Sequence, residues 1–291
     1  MKKNILIVLG LHIFSIIGQD SLAGTIHTWQ DHDLNIFAGS PPALIFVQDS
    51  QNNITGADPA KGLNNYGQGT VVQEISKSWV EQEHTGSDAV SGTFVPNAAT
   101  SWSISIPDHG PESFVVNLVG VTTGVTALSI SGLFAIKLKI PQIENDLNIL
   151  VANGVTKQIR VTFDSINRSL ITTPTIKAGD FLRDTQSACN LKDIAPEAAC
   201  DVLEALASGV EKAISKGDVD KERLDLELYM KILNRLHNWS DKDARHDWDD
   251  FKDHPECDGL RKDKDDTKFF AKDPAYSALK LDAQTLLDGL K

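Results

Sequence analysis

The hydrophobic pattern of this chain changes its period near residue 178, and this change limits the folds that the chain can adopt. Before that point, short runs alternate apolar and polar side chains, as in Trp102–Ile106 and Gln158–Phe163. Clusters of Gly, Pro, Asn and Asp separate the runs. Short alternating runs bounded by turn residues are typical of strands in an antiparallel sandwich. We therefore predict an antiparallel β-sandwich domain over residues 24–177.

After residue 178, apolar side chains recur at helical spacing instead. Four segments carry such a stripe: Asp180–Leu191, Pro196–Lys216, Leu224–Trp239 and Ala275–Leu290. Gly217 and Asp218 have the chemistry of a helix stop followed by the N-cap of the next helix. The pattern predicts a small helical bundle over residues 178–291, with an acidic insertion at about 241–273. The expected fold class is therefore α+β with two domains, a sandwich followed by a helical bundle.

Residues 40–59 have the composition of a β-hairpin. An apolar run, Ala43–Val47, is followed by a polar tip, Asp49–Asn53, and by Thr55-Gly56. Because proline cannot donate a hydrogen bond to a sheet ladder, Ser40-Pro41 predicts that this hairpin begins on an edge strand. No reactive constellation lies on the hairpin, so we expect it to serve folding or contact with a partner.

The order of these motifs resembles two modules of secreted bacterial proteins. Over roughly residues 27–132, the chain resembles a recurrent β-sandwich module through Ser40-Pro41, Leu44, Val47, Asp49, Thr55-Gly56, Asp58-Pro59, and the later strand pair within 102–130. The helical half resembles the small FIMAH module that follows such sandwiches, through Ala188–Leu191, the Cys200 helix and Leu281–Leu287. The charged stretch between Ser240 and Asp273 departs from that module. The resemblance implies a non-catalytic accessory architecture.

The N-terminus has the organisation of an export signal. Lys2 and Lys3 precede an apolar stretch over Ile5–Ile17, and Ser21-Leu22-Ala23 supplies small residues for cleavage. We expect residues 1–23 to be a signal peptide, with Gly24 first in the mature chain. No later segment has enough consecutive apolar residues to cross a bilayer, so no integral membrane segment is expected after cleavage. The expected location is secreted or periplasmic.

The net charge and the absence of known catalytic motifs limit the classes of function that we expect. The net charge of −12 argues against nucleic-acid binding, which requires a basic surface. The chain has no nucleophile elbow and no phosphate-binding glycine loop, so we expect a non-enzymatic protein without a cofactor and assign no catalytic residue. The leading hypothesis is binding or adhesion, with an unidentified protein or glycan partner, at the bacterial surface or in the periplasm. The alternative is a secreted hydrolase or a metal-dependent regulator.

That alternative depends on one cluster in the acidic stretch. In a helix, His246, Asp250 and His254 would occupy positions i, i+4 and i+8 on one face. Two imidazoles and a carboxylate in this arrangement could bind a divalent metal such as zinc. The competing interpretation is a solvated acidic face, because the zinc-protease His-Glu-x-x-His pattern is missing and Pro255 ends the segment.

Three cysteines in an exported protein predict one disulfide and one unpaired thiol. Cys189 and Cys200 flank a tight turn between two predicted helices, which can bring the two Cα atoms within disulfide range. We therefore predict a Cys189–Cys200 disulfide, with Cys257 unpaired. A Cys200–Cys257 disulfide is the alternative.

The aromatic residues of the sandwich allow two interpretations. Trp79 and Trp102 are expected to fill the core between the sheets. A carbohydrate platform would instead expose two or three of the aromatic side chains at Trp29, Tyr66, Trp79 and Trp102.

Overall fold

A computed structural model describes residues 34–39, 43–63, 69–83, 101–107, 110–133, 142–241 and 270–290. Within them, eleven strands precede the helices: β1 Leu34–Gly39, β2 Ala43–Gln48, β3 Ile54–Leu63, β4 Gly69–Gln73, β5 Trp79–Glu83, β6 Ser101–Ile106, β7 Glu112–Gly120, β8 Gly124–Leu133, β9 Gln142–Val151, β10 Thr156–Asp164 and β11 Ser169–Thr175. The second part contains α1 Ala178–Asn190, α2 Glu197–Lys216, α3 Val219–Asp241 and α4 Asp273–Gly289, with a short pair β12 Ile194–Ala195 and β13 Phe270–Ala271. The predicted α+β class is confirmed.

The eleven strands form two antiparallel sheets that share one apolar core. The strand orders are β5-β6-β1-β8-β9 and β11-β10-β7-β2-β3-β4. Buried side chains from both sheets contact one another, such as Ile36 and Ile104 from the first sheet and Val47 and Val161 from the second. Strand β10 shows the alternation most clearly, because every second residue from 157 to 163 is buried.

The hairpin predicted near residues 40–59 is the β2–β3 pair. The carboxylate of Asp49 organises its turn by accepting hydrogen bonds from the backbone N–H of Gln51 at 2.9 Å and of Asn53 at 2.8 Å. The predicted edge position is wrong, because β2 pairs with β7 on one side and β3 on the other. Strand β2 begins at Ala43, after the prolines. Because the strand itself contains no proline, each of its residues has an N–H to donate, and an interior position is possible.

The predicted helices are present with slightly different bounds. Helix α2 ends at Gly217, which adopts φ +67°, and Asp218 Oδ1 accepts a hydrogen bond from the Lys221 N–H at 3.1 Å. Gly217 and Asp218 are thus a helix stop and an N-cap, as the sequence predicts. The acidic insertion at about 241–273 lies almost entirely outside the described residues.

Helices α1 and α4 pack against the side of the sandwich where β9 and β11 are the edge strands. Helix α4 contacts β8, β9 and β11, and α1 contacts β9. Leu150 belongs to the apolar core of the helices, and Leu281 of α4 packs against the core of the sandwich. The two parts therefore share a buried junction. The domain boundaries 24–177 and 178–291 stay a prediction.

Candidate functional site

Three ionisable side chains meet in the buried junction between the sandwich and the helices. Lys157 comes from β10, Asp184 from α1 and Asp282 from α4, and all three residues are buried. The Lys157 ammonium forms an ion pair with Asp184 Oδ2. Their side chains are only 5% and 1% exposed, so this pair is closed to solvent. We call these three residues the junction cluster.

The junction cluster holds two carboxyl groups against one ammonium group. Burial, and secondly the neighbouring Asp282 carboxylate, raise the pKa of Asp184 to about 9 against the opposing effect of Lys157. Burial likewise raises the pKa of Asp282. Within the described structure, Asp184 Oδ1 and Asp282 Oδ2 have no hydrogen-bond donor. Two neighbouring buried carboxyls that share one ammonium are expected to retain one proton between them, which leaves the cluster neutral overall.

Neutral polar groups continue the junction cluster into the helices. Tyr229 of α3 is fully buried, and its hydroxyl lies 2.9 Å from Thr185 Oγ1. Burial raises the pKa of Tyr229 as well. Its ring lies 4.7 Å from that of Phe181, measured between centroids. The arrangement joins β10, α1, α3 and α4 but offers no group to an external ligand.

A second site lies open on the surface between α2 and α3. This groove has a volume of about 340 Å³ and is lined by Asp201, Val202, Ala205, Leu206, Gly209, Lys221, Asp225 and Leu228. Its walls are mainly apolar, with two carboxylates and one ammonium among the lining side chains. An apolar cleft with a few convergent polar groups is the usual form of a small-molecule site, and this one lies at the small end of the usual range.

Asp225 is the buried polar group of the groove. Its side chain is 4% exposed, and its Oδ1 accepts a hydrogen bond from Lys221 Nζ at 2.5 Å, one helical turn away. Its Oδ2 has no hydrogen-bond partner among the described residues. A Cβ at Gly209 would lie 2.4 Å from this Oδ2. The absence of a side chain at Gly209 therefore lets α2 approach the Asp225 carboxylate.

A third polar group lies where α3 meets α4. The His237 ring stacks on Tyr276 with centroids 3.8 Å apart, and His237 Nε2 lies 3.3 Å from Asp273 Oδ1. The Tyr276 hydroxyl donates a hydrogen bond to Asn234 Oδ1 at 2.7 Å. These contacts attach α4 to α3 and give each of these polar atoms a partner.

The structure brings together the predicted cysteine pair. The Sγ atoms of Cys189 and Cys200 lie at disulfide distance, and their Cα atoms are 5.8 Å apart. Cys189 is near the end of α1 and Cys200 is in the first turn of α2. Cys257, the expected unpaired thiol, lies outside the described residues.

The proposed metal ligands His246, Asp250 and His254 also lie outside the described residues. In the part of the chain that is described, no three His, Cys, Asp or Glu side chains are grouped so that they could hold a metal ion.

Of the two tryptophans predicted to fill the sandwich core, one does so and the other does not. Trp102 is 2% exposed and belongs to the sandwich core, as predicted. Trp79 is half-buried on β5, so the prediction that it fills the core is wrong. Trp29 and Tyr66 fall outside the described residues.

The sequence patterns did not single out the junction cluster or the groove, although each left a signal. Lys157 is in phase with Ile159, Val161 and Phe163 on the inward face of β10. Asp184 and Asp282 lie on the buried faces of their helices, beside residues such as Phe181 and Ala278. A charged residue in phase with an apolar stripe indicates a buried charge. Asp225 of the groove has the same signal, because it precedes the buried Tyr229 and Ile232 by four and seven residues, whereas the cleft itself depends on how α2 and α3 pack.

No protein-family model matches this chain, and neither does any curated protein or solved structure. The resemblance to a secreted sandwich followed by a FIMAH-like module therefore stays a prediction. None of the helices in the described ranges is long and apolar enough to cross a membrane.

Proposed function

We propose that this chain is an exported, non-enzymatic binding protein of the bacterial surface or periplasm, and that its ligand site is the groove between α2 and α3. The observation that carries the proposal is the combination of apolar walls with a buried carboxylate in an open cleft. Apolar walls supply affinity, and a small number of placed polar groups supplies orientation.

The burial of the junction cluster favours a structural role for it over a catalytic one. Strongly shifted pKa values often mark catalytic groups, because acids and bases must be matched to their task. In this chain the shifted carboxyls lie under the packed helices, with Asp184 completely buried. A general acid or base must come within hydrogen-bond reach of its substrate. We therefore assign the cluster to the stability of the junction.

The groove is tested by blocking it. Ala205 lines the groove from an exposed position on α2, so Ala205→Trp should fill the groove without disturbing the core. Lys212→Trp places the same side chain at another exposed position of α2, outside the groove, and serves as the control. Hexanol and toluene are titrated into isotope-labelled protein, and amide shifts are followed by NMR.

Shifts confined to α2 and α3, lost in Ala205→Trp and kept in Lys212→Trp, would support the groove as the site. Shifts that persist in Ala205→Trp, or no shifts at all, would contradict it. The export part of the proposal is tested separately by N-terminal sequencing of the protein recovered outside the cytoplasm. We expect it to begin at Gly24.

A further inference from the structure

We infer that the groove between α2 and α3 takes an organic cation, a primary ammonium joined to an aliphatic or aromatic group, and that Lys221 occupies the place of that ammonium when the groove is empty. This inference rests on the proposed function of the groove and names the class of its ligand.

The charge of the groove is the first argument. Two of the lining side chains, Asp201 on α2 and Asp225 on α3, are carboxylates, whereas Lys221 is the one cation of the lining set. The groove therefore carries an excess of one negative charge. A ligand with a positive charge would balance it, whereas an anionic ligand would add repulsion in a partly desolvated site.

The hydrogen bonding of Asp225 is the second, independent argument. Its carboxylate is buried, yet Oδ2 has no donor among the described residues and Oδ1 has a single one from Lys221. An ionised carboxylate can accept about four hydrogen bonds, so most of this capacity is unused. An ammonium group carries three donors and can supply more than one of the missing bonds.

Lys221 is suited to be displaced. Its side chain is 54% exposed, although its partner Asp225 is buried. The exposed lysine is held only weakly, because its ammonium loses little when it returns to water. A ligand that brings an ammonium and an apolar group together replaces the ion pair and covers the groove as well.

The apolar walls define the rest of the ligand. Val202 and Leu206 of α2 face Leu228 of α3 across the groove, and all three are partly exposed. Leu224 lies on α3 beside the groove residues and is 58% exposed. Burying a short alkyl chain against these side chains removes apolar surface from water on both partners. The groove thus selects for an amine that has a hydrophobic body over a fully polar polyamine.

Three probes with the same six-carbon chain separate charge from apolar contact: hexylammonium, hexanol and hexanoate. Binding is followed by NMR of the purified protein, using the Gly209 amide as the reporter of the groove. We expect hexylammonium to bind about tenfold more tightly than hexanol, since a hydrogen bond to a charged group contributes about 1.5–3 kcal/mol. Hexanoate should bind more weakly than hexanol.

Two variants locate the effect. Asp225→Asn keeps the shape of the side chain and should remove the tenfold preference for hexylammonium, whereas Glu227→Gln, at an exposed position of α3, should keep it. Lys221→Gln removes the competing ammonium and should tighten hexylammonium binding by about two- to fivefold while leaving hexanol unchanged. A gain of affinity on removal of Lys221 is a result that a purely structural ion pair would not produce.

The possible outcomes test the preference for a cation separately from the proposal that the groove is a ligand site. Equal binding of hexanol and hexylammonium in the groove, or tighter binding of hexanoate, would overturn the cation class and leave the groove as a site. A tenfold preference for hexylammonium over hexanol that survives Asp225→Asn, or hexylammonium binding that weakens in Lys221→Gln, would also overturn it. If no probe shifts the α2 and α3 amides, both the inference and the proposed function fail.

Discussion

The junction cluster and the groove each pair a lysine with an aspartate, and the two pairs differ in how far the lysine is buried. Each contains a Lys–Asp ion pair in which one oxygen of the aspartate has no donor among the described residues. At the junction, Lys157 is 5% exposed, whereas in the groove Lys221 is 54% exposed. A lysine that has lost its hydration cannot leave its partner without a large cost, whereas an exposed one can. The first pair therefore holds elements together, whereas Lys221 of the second pair is free to move off the buried Asp225 carboxylate.

The largest difference between the two pairs should appear on removal of the lysine. Lys157→Met leaves two buried carboxyls without a cation, and we expect the free energy of unfolding to fall by about 3–5 kcal/mol. The matched variant Lys221→Met removes the donor of one buried carboxylate rather than the cation between two, so we expect a smaller loss. Urea denaturation of both variants measures the two losses. Similar losses would remove the distinction between a closed pair and an open pair.

The disulfide connects the two regions, since it joins the helix that carries Asp184 to the helix that forms one wall of the groove. Replacement of Cys189 and Cys200 by serine should lower the free energy of unfolding by about 3 kcal/mol, because the unfolded chain gains freedom. Denaturation with and without reductant measures this contribution. Peptide mapping without reduction checks the pairing, and a peptide that links Cys257 to either cysteine would contradict it.

The junction cluster should also make stability depend on pH. The pKa of Asp184 is about 9 in the folded protein, whereas an unfolded aspartate has a pKa of about 3.9. Between these values the folded protein retains a proton that the unfolded chain releases. The stabilisation is thus complete below pH of about 4 and is lost as the pH rises toward 9, by on the order of 1 kcal/mol per pH unit.

Asp184→Asn should flatten this dependence, because the amide is neutral throughout the range and still accepts a hydrogen bond from Lys157. Thermal denaturation at pH 5, 6, 7 and 8 gives the two curves. If the variant and the natural protein lose stability in parallel, the proton is not held at Asp184.

A smaller loss of stability is expected from crowding the Asp225 carboxylate at the point where it meets α2. Gly209→Ala would place a Cβ 2.4 Å from Asp225 Oδ2, so the carboxylate or the helix backbone must shift. The loss from this crowding exceeds the gain in helix propensity, and we expect a net destabilisation of about 1 kcal/mol. Gly289→Ala is the control, since nothing lies within 4 Å of the added atom there. If Gly209→Ala were as neutral as the control, Asp225 would not be held by this close approach.

Sequence patterns predict the elements of this fold better than they predict its sites. The apolar stripe of α2 and the stop at Gly217 are local properties, so the helix was predictable nearly to the residue. The turn at Asp49 is local as well. The interior position of β2 was not predictable, because it depends on pairing with β7, about 70 residues further along the chain.

The same limit applies to the junction cluster and to the groove. Lys157, Asp184 and Asp282 each break an apolar pattern, so their burial could have been predicted one by one, but their meeting depends on the packing of three separate elements. Asp225 also lies in phase with an apolar stripe, since it precedes the buried Tyr229 and Ile232 of α3 by four and seven residues. Its close approach to Gly209 was not predictable, because it depends on how α2 and α3 pack.

The most direct test of the difference between the two regions is the dissociation constant of hexylammonium for two aspartate variants. Asp225→Asn changes the open site and Asp184→Asn changes the closed one, with the same chemical substitution in each. We predict that Asp225→Asn weakens binding by about tenfold and that Asp184→Asn leaves it unchanged. Equal dissociation constants for the two variants, or weaker binding in Asp184→Asn, would contradict the assignment of the groove carboxylate as the group that binds the cation.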